Sequence, residues 1–160
     1  MTMPLSTAFA RSLATALLVL STGLAGAADD PTPPAGDKLA AARTLIQESK
    51  WAAAIEELKN VGDSGSADWN NLMGYSHRKA RTPDLAAAER SYDAALRIDA
   101  KHKGALEYSG ELFLMKGELP RAEERLAALD KACFLPCEEH KDLKAAIERY
   151  KANGNRHQPK

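Results

Sequence analysis

The chain has 160 residues, of which 44% are hydrophobic and 6% aromatic, and its 22 basic and 22 acidic side chains give a formal net charge of zero. This length suits one modest domain, and a composition rich in leucine and alanine favours helices over sheets. The charge balance excludes the strongly basic surface that nucleic-acid binding requires, so we expect no nucleic-acid partner.

Residues 1–27 have the order of a secretory signal peptide. Arg11 precedes an apolar run from Leu13 to Leu24, and the small residues 25–27 follow it. The run is too short to span the ~30 Å of a bilayer core, and no cysteine follows it to carry a lipid. We therefore expect cleavage after Ala27 and a product in the periplasm or outside the cell, with no membrane insertion.

Residues 28–37, "ADDPTPPAGD", contain three prolines and no apolar periodicity. This composition predicts a flexible lead-in to a domain that spans residues 38–152.

Within that domain, a shift of 34 residues aligns side chains of like character in four columns. The columns are three or four residues apart, which is the spacing of one helix face. A period of about 34 residues built from helix pairs is typical of tetratricopeptide repeats, and the chain resembles that family over residues 38–130. The columns are Trp51, Leu85 and Leu119; Ala54, Ala88 and Ala122; Leu58, Tyr92 and Leu126; and Val61, Ala95 and Leu129.

The resemblance implies an all-α fold, a right-handed α-solenoid of about three helix hairpins plus a C-terminal capping helix. A further column of small residues, Ala42, Gly74 and Gly110, indicates two extra residues in the second turn, around residues 81–84. A register through Ser76 needs no insertion, but it places Lys79 where the family has an aromatic residue. The repeats are predicted at 38–66, 67–102 and 103–134.

The recurrent alanines predict helix crossings. A small side chain lets two antiparallel helices approach near the short end of the usual ~8–10 Å between axes. A leucine at Ala88 would overpack such a crossing, at a cost of about 1–3 kcal/mol.

After the repeats, Leu143, Ala146, Ile147 and Tyr150 recur at helical spacing. They predict a helix at 138–152 that covers the last apolar face of the array. Residues 153–160 are predicted to be a disordered tail.

The chain has two cysteines, Cys133 and Cys137. Export would place them in an oxidising compartment, which favours a disulfide between them. The alternative is a reactive or metal-binding pair that holds Cu(I) with help from His140, in a periplasmic thiol- or copper-handling protein. Haem attachment is excluded, because it needs Cys-x-x-Cys-His.

No residue pattern indicates catalysis. The chain lacks a nucleophile elbow and a glycine-rich phosphate loop, and adjacent carboxylates such as Glu56 and Glu57 point in different directions on a helix. We therefore expect no enzymatic activity, no cofactor and no metal site.

The resemblance implies instead a concave groove lined by the first helix of each hairpin, and hence a non-catalytic adaptor for a protein or an extended peptide. The lysine, arginine and asparagine with which some members clamp a terminal carboxylate are replaced by Leu72, Gly104 and Tyr108. The predicted groove residues are Arg43 and Gln47; Asn71, Tyr75 and Arg78; and Glu107, Glu111 and Met115.

Overall fold

The computed structural model describes residues 36–135 and 137–157. In these ranges all regular structure is helical, which confirms the all-α prediction. The predicted signal peptide and most of the lead-in lie outside the described residues. The helices are α1 (Ala40–Gln47), α2 (Trp51–Val61), α3 (Ala67–Lys79), α4 (Leu85–Ile98), α5 (Lys103–Lys116), α6 (Leu119–Ala132) and α7 (Glu138–Ala152).

Contacts join each helix to the next one along the chain. They also join alternate helices: α1 to α3, α3 to α5, and α5 to α7. Of the turns that join α1 to α2, α3 to α4 and α5 to α6, the longest is residues 80–84, where the sequence indicates two extra residues. No described helix is both long enough and apolar enough to cross a bilayer.

Local side-chain chemistry sets several helix ends. The residue before each of α3, α4 and α5 accepts a hydrogen bond from the backbone N–H of the third residue of that helix. These capping residues are Ser66, Asp84 and His102. These bonds satisfy backbone donors that have no partner inside the helix. Gly62 ends α2 and Gly117 ends α5, with φ of 65° and 78°. Glycine adopts this left-handed conformation without a steric penalty.

The aligned alanines Ala54, Ala88 and Ala122 are fully buried, and Ala42 is too. In the next column, Leu58 and Tyr92 are fully buried, whereas Leu126 is half-buried against the core. The core has a larger cluster built from α4 to α7 and a smaller one around Leu39, Ala42, Leu58 and Met73.

The two glycines of the small column make different close contacts. A Cβ atom at Gly74 would lie 2.7 Å from Cε1 of Tyr92, on α4. A Cβ atom at Gly110 would lie 2.5 Å from Cδ2 of Leu143, on α7. Gly74 therefore permits the approach of the next helix along the chain, and Gly110 permits that of an alternate helix.

The segment between α6 and α7 contains a disulfide. The Sγ atoms of Cys133 and Cys137 lie 2.07 Å apart, with their Cα atoms 5.9 Å apart. The intervening Phe134 and Leu135 are exposed to solvent.

Candidate functional site

Side chains of α3, α5 and α7 line a cavity of about 580 Å³. The turn after α3 and the segment after α7 complete its wall. Five of the eight predicted groove residues lie in this lining: Tyr75, Arg78, Glu107, Glu111 and Met115.

The other three predicted residues lie outside the lining. Gln47 is exposed at the end of α1. Asn71 is buried where α3 meets the start of α5, so that a Cβ atom at Gly104 would lie 3.1 Å from its Nδ2. Its Oδ1 has no hydrogen-bond partner in the described part of the chain.

Arg43, the third of these residues, is held by carboxylates at the other end of the domain. Its guanidinium lies 3.0 Å from Asp68 and 3.4 Å from Asp37. Oδ1 of Asp68 also lies 2.9 Å from Nε2 of His102. The hydrogen bond from His102, helped by Arg43, lowers the pKa of Asp68. Arg43 therefore joins α1 to the start of α3 and does not face the cavity.

Helix α7 contributes to the cavity, which was not predicted from the sequence. Asp142, Ala146 and Arg149 line it, although this helix was predicted only to cap the array. They are four and three residues apart, so they share one helix face, and this spacing is visible in the sequence. Arg156 and His157 also line the cavity, within the predicted tail.

A buried ion pair crosses from α3 to α5 at this site. Nη1 of Arg78 lies 2.8 Å from Oε2 of Glu111, and the two side chains are 6% and 17% exposed. Nε of Arg78 also donates a hydrogen bond of 3.3 Å to the hydroxyl of Tyr92 on α4. Arg78 thus links α3, α4 and α5, and the carboxylate of Glu111 balances its positive charge.

Aromatic rings pack around this arginine. The ring centroids of Tyr75 and Tyr108 lie 4.6 Å apart, and Trp51 at the start of α2 lies 5.8 Å from Tyr75. The guanidinium carbon of Arg78 lies 5.4 Å from the centroid of Tyr75 and 5.5 Å from that of Tyr108. These distances allow cation–π attraction. Burial is the main cause that raises the pKa of both tyrosines, which keeps their hydroxyls neutral.

Glu107 is the exceptional group in the lining. It is only 7% exposed, yet it forms no hydrogen bond or ion pair within the described ranges. Burial raises its pKa to about 8, and the nearby carboxylates of Glu111, Asp142 and Glu139 act in the same direction against the weaker effect of Arg78. A carboxyl group in this setting is largely protonated at neutral pH.

Cys133 and Cys137 do not line the cavity. Their sulfur atoms are bonded to each other, and Nε2 of His140 lies 2.7 Å from Oδ1 of Asp130. A copper-binding role would first require reduction of the disulfide, because thiolates are the ligands of Cu(I). The described residues contain no group of three or more histidine, cysteine or acidic side chains placed to hold a metal ion.

Comparison of the chain with protein-family models, with curated proteins and with solved structures finds no match. The cavity itself combines three features: the inclined rings of Tyr75 and Tyr108, the ion pair of Arg78 and Glu111, and the carboxyl group of Glu107, which has no hydrogen-bond partner within the described residues. Such a lining offers both apolar contact area and specific polar contacts to a ligand.

Proposed function

We propose that this protein is a non-catalytic binding module of the tetratricopeptide kind, which holds an extended segment of a partner protein in the cavity lined by α3, α5 and α7. One observation supports the proposal: the cavity is lined by the alternate helices α3, α5 and α7. In the arrangement that we propose, α3 and α5 are the first helices of successive hairpins and α7 is the cap. In stacked hairpin repeats, such helices line the concave binding face.

The repeat period supports this arrangement. Helices α2, α4 and α6 begin at Trp51, Leu85 and Leu119, which are one 34-residue period apart. The alanine three residues after each of these positions is fully buried. Equivalent helices therefore use equivalent small residues for packing, as a repeat array requires.

The chemistry of the lining suits a polypeptide. A cavity of about 580 Å³ accommodates a few side chains. Tyrosine and arginine are the residue types that contribute most to protein–protein binding, and Tyr75, Tyr108 and Arg78 meet here. Met115 adds a flexible apolar contact.

Export to the periplasm or secretion is part of the proposal. The disulfide supports it, because such bonds persist in oxidising compartments. The order of residues 1–27 supports it as well, because it has the features of a secretory signal peptide.

The experiment is a selection of displayed random peptides on the native, disulfide-bonded protein. We expect enriched sequences whose binding is lost when the cavity is filled by Met115→Trp. The matched control is Ala127→Trp, which places the same side chain on an exposed position of α6. The proposal is overturned if nothing is enriched, or if the enriched peptides bind Met115→Trp as tightly as the unmodified protein.

A further inference from the structure

We propose that the cavity recognises a cationic side chain, arginine or lysine, of the bound polypeptide, and that the carboxyl group of Glu107 receives its charge. This inference rests on the proposed function above and adds the chemical class of the ligand. Three features of the cavity support it: the burial of Glu107, the charges around Glu107 and the apolar groups beside it.

Glu107 is buried in the wall of a cavity and has no partner of its own. Only 7% of the residue is exposed, so its carboxyl group is solvated only in part, from the cavity that it lines. Ionisation of a buried carboxyl group without a partner is unfavourable, so the protonated form of Glu107 is favoured here. A ligand that brings a positive charge would remove the cost, because it would supply the missing partner.

The charges that face Glu107 are mostly negative. Glu111 lies on the same helix as Glu107, and Glu139 and Asp142 lie on α7. Each of these three carboxylates opposes the ionisation of Glu107 more strongly than Arg78 favours it. Arg78, the cation on α3, is already engaged by Glu111 at 2.8 Å. Tyr75 on α3 and Tyr108 on α5 are neutral, because burial raises the pKa of each hydroxyl. Among the charged groups that act most strongly on Glu107, the negative ones therefore outweigh Arg78.

Other cations line the cavity as well, namely Lys79, Arg149 and Arg156, together with His157. The last two belong to the segment that follows α7. A basic segment of the chain itself therefore reaches the cavity. A partner that carries arginine or lysine would enter the same space and compete with these residues.

The apolar part of the lining suits the stem of a long cationic side chain. Leu114, Met115 and Ala146 contribute to the wall together with the ring of Tyr108. Arginine and lysine bury their methylene groups on such surfaces while the charged end finds a polar partner. A small amine would leave this apolar surface unused.

Binding of a cation by Glu107 must also release a proton near neutral pH. The pKa of Glu107 is about 8 in the free protein, and a bound guanidinium would lower it. Affinity should therefore rise between pH 6 and pH 9, where the guanidinium itself stays charged.

The experiment compares two pools of nonapeptides that are random except at the central residue, which is arginine in one pool and its neutral isostere citrulline in the other. Binding is measured by fluorescence anisotropy on the native protein at pH 6 and pH 9. We expect the arginine pool to bind about ten-fold more tightly at pH 9, with a smaller preference at pH 6. The variant Glu107→Gln should abolish the preference, and Glu148→Gln, an exposed glutamate of α7, should keep it.

Each outcome decides between the two proposals. If both pools bind equally and Met115→Trp abolishes the binding of both, the cavity binds peptides but the inference about charge is wrong. The inference is also wrong if the preference for arginine survives in Glu107→Gln. If neither pool binds, the proposed function fails and the inference fails with it.

Discussion

Arg78 on α3 and Glu111 on α5 form an ion pair of 2.8 Å in the wall of the cavity, with little of either side chain exposed. A buried pair of this kind adds little net stability when compared with well-packed apolar residues. Its removal on one side is nevertheless costly, because the other charge loses its buried partner. The pair therefore joins two helices whose relative position shapes the site.

The first prediction concerns this pair. Arg78→Leu should lower the free energy of unfolding by about 3 kcal/mol, because Glu111 and the hydroxyl of Tyr92 both lose a buried partner. Urea unfolding measures the change. The matched control is Arg90→Leu on the exposed face of α4, which should stay within about 0.5 kcal/mol of the unmodified protein. Equal stability of the two variants would contradict the prediction that Arg78 forms stabilising buried contacts with Glu111 and Tyr92.

The second prediction concerns pH. The folded-state pKa of Glu107 is raised from 4.5 to about 8, so the folded protein binds more protons than the unfolded chain between these values. Stability must then fall as pH rises from about 4.5 to about 8. Glu107→Gln removes this penalty and should be more stable than the unmodified protein at pH 9, by about 1–2 kcal/mol after allowance for solvent screening.

Below pH 4 the advantage of Glu107→Gln should disappear, because the carboxyl group is then protonated in both states. Thermal unfolding across the pH range checks the prediction, with Glu148→Gln as the control. An advantage that does not change with pH would show that Glu107 is not the titrating group.

The third prediction concerns the approach of α3 to α4. Gly74→Ala would place a Cβ atom 2.7 Å from the ring of the fully buried Tyr92. Overpacking costs about 1–3 kcal/mol, which exceeds the gain of about 1 kcal/mol from the better helix propensity of alanine. We therefore expect a net loss of stability in chemical unfolding. The control is Gly65→Ala, whose Cβ atom would have no atom within 4 Å and which should not show this loss. An increase in stability for Gly74→Ala would contradict the close approach of α3 and α4.

The fourth prediction concerns the disulfide between α6 and α7. Replacement of both Cys133 and Cys137 by serine should lower the free energy of unfolding by ~2 kcal/mol, because the bond closes only a short loop. The helix content should remain, since Leu143, Ile147 and Tyr150 still anchor α7 in the core. Circular dichroism during urea unfolding tests both statements. Loss of helical signal in the absence of denaturant would show that the bond holds α7 in place.

Much of the fold was predictable because packing imposes a period on the sequence. The column of Trp51, Leu85 and Leu119 marks the first residues of three helices, and the alanines after them are buried. Both features are local, since each depends on which side of one helix is covered. A single sequence is enough to reveal them.

The composition of the site was less predictable because it depends on how different helices meet. The sequence places Arg78 in the groove lining, but it does not reveal that Glu111 and two tyrosine rings enclose it. Arg43 shares the spacing of groove residues, yet Asp37 and Asp68 hold it elsewhere. The spacing of Leu143 and Ala146 predicts that α7 packs on the array, but it does not reveal that α7 meets α5 at Gly110 and so brings Ala146 into the lining.

The most direct test of the proposed binding function is an NMR titration of the native protein with a peptide obtained by display selection. We expect the largest amide shifts at the lining residues of α3, α5 and α7, among them Tyr75, Glu111 and Ala146. Shifts confined to the exposed Phe134 and Leu135, or to the outer faces of α4 and α6, would contradict the proposed function.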